Sequence, residues 1–141
     1  MDTKLKKLKL CLFLMVLLSF TSCVNDDEPL DPSTHNPNLI GKWRGEVKVN
    51  NYYEQETLEF KANGRFTDEV IFSDGKNKYT TTIKGAWTST FNNISITVTD
   101  FKNNNPIYDS GLYVGAVATM PYRIINNELY INNGEVPMIK K

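Results

Sequence analysis

The feature that most constrains this chain is an alternation of apolar and polar residues with period two, which begins near Ile40. In "TLEFK", Leu58 and Phe60 alternate with charged residues, and in "ISITVTDF" the residues Ile94, Ile96 and Val98 share one parity. An amphipathic helix needs a period of 3.6, whereas a strand with one buried face needs a period of two. The segments are also rich in β-branched and aromatic residues, so the pattern predicts strands.

Turn signals divide this region at regular intervals. Asn63-Gly64 is typical of a tight hairpin, and Asn pairs recur at 50–51, 92–93, 126–127 and 132–133. Asn tolerates the left-handed backbone angles that turns require. The pattern predicts about eight strands, near residues 40–49, 53–61, 65–72, 77–88, 94–101, 111–118, 120–126 and 128–132.

Short connections between these strands make sequential neighbours pair antiparallel. An up-and-down meander of eight strands with one apolar face avoids exposed edges by closing on itself. We therefore expect an all-β fold, an antiparallel meander closing into a barrel over residues 39–141. The interior of an eight-stranded barrel is either filled by side chains or just wide enough for one small ligand.

The first 22 residues have the organisation of a secretory signal peptide. Lys4, Lys6, Lys7 and Lys9 precede an apolar run from Leu10 to Leu18, and small residues follow it. That run is shorter than the ~20 residues that span a bilayer. The leader predicts export from the cytoplasm.

Cys23 decides which kind of signal peptide this is. "FTSC", ending at Cys23, resembles a bacterial lipobox, although Phe20 stands where Leu is usual. The resemblance implies cleavage before Cys23, a diacylglyceryl group on its thiol, and a fatty acid such as palmitate on its amine. Cys11 lies within the leader, so Cys23 is the one cysteine of the expected mature chain. Several acyl chains on one residue give a stable membrane anchor.

Residues 23–38 form an acidic, proline-rich segment that we expect to be a disordered, solvated tether. His35, the one histidine, lies in it and is expected to be solvated. Acid directly after the lipidated Cys resembles the surface-export signal of Bacteroidetes lipoproteins. The expected location is therefore the outer membrane, facing either the cell surface or the periplasm. From Cys23 on, 12 basic and 15 acidic residues give a net charge of −3, and this acidic balance without a basic stripe argues against nucleic-acid binding.

The first strand carries a family resemblance. Gly41-x-Trp43 in "LIGKWRGEV" resembles the G-x-W motif of lipocalins, and "LEFKANGRF", "GAW" and "YRIINNELYI" are similar to bacterial lipocalin-like lipoprotein domains. The resemblance implies that Trp43 closes one end of the barrel against an arginine near the last strand, for which Arg123 is the candidate. The chain departs from the family in lacking the long first loop and the C-terminal helix.

Residue types that carry chemistry are scarce. From Leu39 on there is no Cys and no His, which excludes Cys-His and Ser-His-Asp arrangements there. The sequence contains no cluster with metal-ligand spacing and no phosphate-binding loop. We expect no enzyme, no metal and no cofactor.

Two carboxylates occupy alternate positions that the strand pattern otherwise fills with apolar, inward-facing residues. Asp68 shares the parity of Phe66, Val70 and Phe72, and Glu56 that of Leu58 and Phe60. Either these carboxylates face the interior, or a bulge or a wet barrel mouth removes the conflict. The candidate lining or ligand residues are Trp43, Glu56, Phe60, Phe66, Asp68, Phe72, Tyr79, Thr81, Trp87 and Tyr122.

Two functions follow from these observations. The first is a non-enzymatic, lipid-anchored barrel that binds a small apolar or amphipathic molecule. The second is a barrel with a solid core that acts by protein–protein contact. An exposed aromatic patch involving Tyr52, Tyr53, Tyr108 and Tyr113 would favour the second.

Overall fold

The fold is a closed barrel of eight antiparallel strands, each paired with its neighbours in sequence, and β1 closes the barrel against β8. The computed structural model describes residues 34–106 and 111–141. The strands are β1 Gly41–Val49, β2 Tyr52–Phe60, β3 Arg65–Ser73, β4 Lys78–Ser89, β5 Asn93–Asn103, β6 Val117–Ile125, β7 Glu128–Ile131 and β8 Met138–Lys140. The predicted all-β meander is confirmed. The leader, Cys23, most of the tether and Tyr108 lie outside the described residues.

Asparagine makes the turns, as the sequence indicates. Asn50, Asn126, Asn127, Asn132 and Asn133 all have φ between 53° and 65°. Asn adopts this left-handed region more readily than other residues with a Cβ, because its short side chain forms local hydrogen bonds. Asn126 and Asn127 make up the β6–β7 turn, and Asn50 is the first of the two residues between β1 and β2.

Two predicted boundaries are wrong in the second half of the chain. The expected strand 111–118 is irregular up to residue 116, because Gly111 and Gly115 have φ of 62° and 93°. Strand β6 instead runs without interruption through 117–125. The eighth strand is the short C-terminal segment β8, which has three residues and too little alternation to be recognised in the sequence.

The pairing is regular from β1 to β4, and it shifts once, between β4 and β5 at Lys84/Gly85. At this point the strands approach so closely that a Cβ on Gly85 would overlap the carbonyl oxygen of Thr97. Glycine allows the close approach that the bulge requires. Inward parity is therefore preserved from β1 to β4, where the candidate residues are concentrated.

One half of the barrel interior, here called the Trp43 half, holds the main hydrophobic core. Its members are contributed by nearly every strand and by the segment before β1: Leu39, Trp43, Leu58, Phe60, Phe66, Trp87, Ile94, Ile96, Met120, Tyr122, Leu129 and Met138. The two indole rings are each 1% exposed. Burial of this apolar surface is the main contribution to stability.

Residues 34–40 cover the Trp43 half from outside the strands. The His35 ring lies edge-on to Trp87 with centroids 4.5 Å apart, and its Nε2 hydrogen-bonds the Trp87 carbonyl at 2.8 Å. Asn36 donates from Nδ2 to the Tyr122 hydroxyl at 2.7 Å. The expectation of a solvated His35 is therefore wrong, because the end of the tether packs on the core instead of remaining in water.

In the described part of the chain we find no helix with the length and hydropathy that crossing a membrane requires.

Candidate functional site

All ten candidate residues occupy inward positions, but the structure divides them into two groups. Trp43, Phe60, Phe66, Trp87 and Tyr122 belong to the packed core of the Trp43 half. The Phe60 ring lies 5.1 Å from that of Phe66 and 5.0 Å from that of Trp87, measured between centroids. Side chains packed in this way have a structural role. A ligand site would therefore have to lie in the rest of the barrel interior.

The expected pairing of Trp43 with Arg123 is wrong. Arg123 points to the outer face of β6 and lies over the Tyr130 ring, 4.6 Å from its centroid. Lys140 of β8 takes the position over Trp43 instead, with Nζ 5.1 Å from the ring centroid. The sequence cannot indicate this exchange, because it depends on which strand closes the barrel against β1.

The second group lies in the remainder of the interior, here called the Glu54 half, toward the β1–β2 turn. Asp68 is opposite Leu58 and Ile83 in the register. Glu56 is opposite Gly45 and Val70, and Glu54 is opposite Val47 and Phe72. Three carboxyl groups on two adjacent strands thus face the interior at successive inward positions. No bulge interrupts these strands, so of the alternatives that the sequence left open the register gives the inward orientation for Glu56 and Asp68.

Two of these carboxyl groups are deeply buried and incompletely hydrogen-bonded. Glu54 and Asp68 are each 3% exposed. Glu54 Oε2 and Asp68 Oδ1 have no hydrogen-bond partner among the described residues. A buried polar group without a partner costs roughly 1–3 kcal/mol, and more when it is charged. Glu56 is only half-buried, which gives the cluster a route to solvent.

Burial and mutual repulsion perturb all three carboxyl groups in the same direction. Desolvation, and secondarily the charge of Glu56, raises the pKa of Glu54 from its ordinary 4.5 to about 8. Desolvation raises the pKa of Glu56 to about 7. Desolvation together with the charges of Glu56, Glu54 and Glu69 raises the pKa of Asp68 well above its usual range. Near neutral pH this cluster therefore holds protons that carboxyl groups in water would release.

An aromatic row lies beside the carboxyl groups, nearer the β1–β2 turn. The Phe72 ring is stacked with Tyr79 at an interplanar angle of 20° and a centroid separation of 6.2 Å. Tyr52 lies on the other side of Phe72, also 6.2 Å between centroids. The row crosses β2, β3 and β4, and Phe72 and Tyr79 are half-buried. Tyr52 is 38% exposed and forms the solvent-facing end of the row.

The remaining candidate, Thr81, is buried and donates a hydrogen bond to Asn103 Oδ1 at 2.8 Å. Three residues of the Glu54 half were not among the sequence candidates: Glu54, Tyr52 and Asn103. Glu54 and Tyr52 share the parity of Glu56, which is a signal that was available. Asn103 could not be placed, because the shift at Lys84/Gly85 changes which β5 residues face inward.

Ionised, these carboxyl groups accept hydrogen bonds and attract positive charge, and while protonated each also donates one hydrogen bond. Within residues 34–106 and 111–141, the His, Cys, Asp and Glu side chains form no group of three or more that could hold a metal ion. His35 lies at the opposite end of the interior, against Trp87. The cluster offers acidic acceptors with an aromatic wall, and this combination suits recognition of a small molecule.

No protein-family model matches the chain, and no curated protein is significantly similar to it in sequence. The fold itself defines the class of protein. It is an eight-stranded antiparallel barrel, the architecture that lipocalins also have.

Proposed function

We propose that this chain is a non-enzymatic, lipid-anchored protein of the bacterial cell envelope, whose barrel binds a small amphipathic molecule in the Glu54 half. The leader and the lipobox-like sequence ending at Cys23 support the anchor. The acidic residues directly after Cys23 support attachment to the outer membrane, facing the surface or the periplasm. The eight-stranded barrel is compatible with the binding role, since the interior of such a barrel is either filled by side chains or holds one small ligand.

The observation that carries the binding role is the pair of unpartnered carboxyl oxygens, on Glu54 and Asp68, in a barrel interior. A barrel that served only as a scaffold would be more stable with apolar residues there, because buried polar groups without partners are destabilising. Perturbed carboxyl groups of this kind concentrate at functional sites. A ligand with both a polar group and an apolar body would satisfy the carboxyl groups and cover the aromatic row.

Native mass spectrometry tests the binding role directly. The form from Val24 to Lys141 lacks the anchoring Cys23 but retains residues 34–40 and all eight strands, which together contain the main hydrophobic core. We expect a co-purifying small molecule that is lost on unfolding. A ligand-free mass, together with no thermal shift across a panel of amphiphiles, would contradict the proposal.

The chain contains its own control for the anchor. We expect the protein with Cys23→Ser to lose incorporation of a clickable palmitate analogue and to leave the membrane fraction. The matched variant Cys11→Ser, which changes the other cysteine of the leader, is expected to behave like wild type. Equal labelling of both variants would show that Cys23 is not the acylated residue.

A second candidate function, protein contact, is favoured by one feature of the irregular segment before β6. Tyr113 and Val114 are 60% and 62% exposed, next to Val117 at 38%. Adjacent exposed apolar side chains are typical of contact surfaces. A photo-crosslinking residue at position 113 would capture a specific partner in cells if this function holds, and position 91, whose Phe is also exposed, serves as the control.

A further inference from the structure

Among the described residues, no basic side chain neutralises the carboxyl groups of the Glu54 half. The inward positions of the strands beside them carry no Lys and no Arg; they are Gly45, Val47 and Val49 on β1, Val70 and Phe72 on β3, and Tyr79, Thr81 and Ile83 on β4. On β5 the inward residues at this height are Phe101 and Asn103. Glu69, on the outer face of β3, adds further negative charge near Asp68. Lys140 lies over Trp43, in the other half.

We infer that the molecule bound in the Glu54 half is an organic cation, an ammonium or guanidinium group on a compact apolar body, with Glu54, Glu56 and Asp68 as its acceptors. This inference rests on the proposed function, because it names the ligand chemistry of that same site.

The N–H donors of an organic cation match the unpartnered carboxyl oxygens of the cluster. Glu54 Oε2 and Asp68 Oδ1 are buried acceptors without partners, and an ammonium or guanidinium group supplies several N–H donors. Hydrogen bonds between charged groups are about twice as strong as neutral ones. An anionic headgroup such as a carboxylate supplies no N–H donors, so it would leave the unpartnered carboxyl oxygens without donors.

The aromatic rings beside the cluster also favour a cation, for a reason that does not depend on the carboxyl groups. Aromatic faces attract organic cations, and the stacked pair Phe72 and Tyr79 adjoins Glu54, which is directly opposite Phe72 in the register. The same rings cover an apolar body. A bare metal ion would make no use of them, and the described acidic residues form no group suited to one.

Proton release is a consequence of this chemistry. Because burial holds Glu54 and Glu56 protonated up to about pH 8 and 7, a cation entering near pH 6.5 must displace protons from them. A neutral or anionic ligand has no such requirement. The number of protons released on binding therefore separates the ligand classes.

The experiment compares phenylbutylamine, phenylbutanol and phenylbutyrate, which share one apolar body and differ in the charge of the headgroup. Isothermal titration of the Val24–Lys141 form is done in buffers of different ionisation enthalpy. We expect the amine to bind about tenfold or more tighter than the alcohol, with release of about one proton near pH 6.5. Glu54→Gln is expected to weaken the amine about tenfold and leave the alcohol unchanged. Glu46→Gln, an exposed outward position on β1, is expected to change neither.

Binding of the alcohol or the carboxylate as tightly as the amine would overturn the cation inference and leave the proposed function standing. Absence of amine binding, with a neutral or anionic molecule co-purifying, would have the same meaning. Absence of binding by all three probes, with nothing co-purifying, would overturn both. An amine affinity that Glu54→Gln and Glu46→Gln lower equally would also contradict the inference, since it would show that the carboxyl cluster is not the acceptor.

Discussion

Replacing Glu54 with glutamine is expected to stabilise the barrel at alkaline pH and to leave it nearly unchanged in mild acid. The pKa of Glu54 is raised from 4.5 to about 8, mainly by desolvation. Between these values the unfolded chain releases the proton and the folded chain keeps it, so the free energy of unfolding falls as pH rises. At about 1.36 kcal/mol per pH unit the full effect corresponds to about 5 kcal/mol.

The amide is uncharged at every pH and has nearly the shape of the protonated acid. Water entry and local relaxation reduce the cost of a buried charge, so we expect Glu54→Gln to be more stable than wild type by about 2 to 5 kcal/mol near pH 9. Near pH 5 the two should agree within about 1 kcal/mol. The contribution of the protonated carboxyl is fully present below pH 4.5 and is lost as pH rises through 8.

Urea denaturation followed by tryptophan fluorescence measures this difference, because Trp43 and Trp87 are both buried. Glu46→Gln is the matched control, an identical change at an exposed position. If wild type and Glu54→Gln lose stability in parallel from pH 5 to pH 9, Glu54 ionises in the folded state as it does in water. That result would contradict the raised pKa of Glu54 in the folded barrel.

Three further substitutions test the scaffold, each by urea denaturation. Gly85→Ala should cost about 2 kcal/mol or more, because its Cβ meets the Thr97 carbonyl, and a loss under 0.5 kcal/mol would contradict the close approach. His35→Ala should cost about 1 to 3 kcal/mol by removing the hydrogen bond and ring contact with Trp87, and a neutral result would mean that residues 34–40 do not pack on the core. Arg123→Ala should cost less than about 1 kcal/mol, since the side chain is on the outer face, and a large loss would favour the barrel-closing role.

Most of the fold prediction rested on the alternation of apolar and polar residues along the strands. It identified the inward residues of β1 to β4, including Asp68, because the side chains of a regular strand alternate strictly between two faces. It failed where regularity failed. Gly111 and Gly115 have positive φ and end the expected sixth strand, and the shift at Lys84/Gly85 concealed the inward position of Asn103. The three-residue β8 is too short to show a period.

The candidate site was predicted only in part, for a related reason. Sequence parity gives the face of a strand but not the height of a residue inside a closed barrel. Trp43 and Tyr79 therefore looked equivalent, although one belongs to the packed core and the other to the aromatic row. Glu54 is not among the sequence candidates, although neighbouring strands bury it.

The sequence by itself determined an all-β antiparallel chain, its turns, its first five strands and the side of each early strand that faces inward. These are local properties, set by side-chain alternation and by the backbone angles of Asn and Gly. Only the tertiary structure decided that Lys140 and not Arg123 covers Trp43, that His35 is buried, and that three carboxyl groups share one half of the interior. Each of these depends on contacts between residues that are distant in sequence. The local alternation of residues does not specify which of those residues meet.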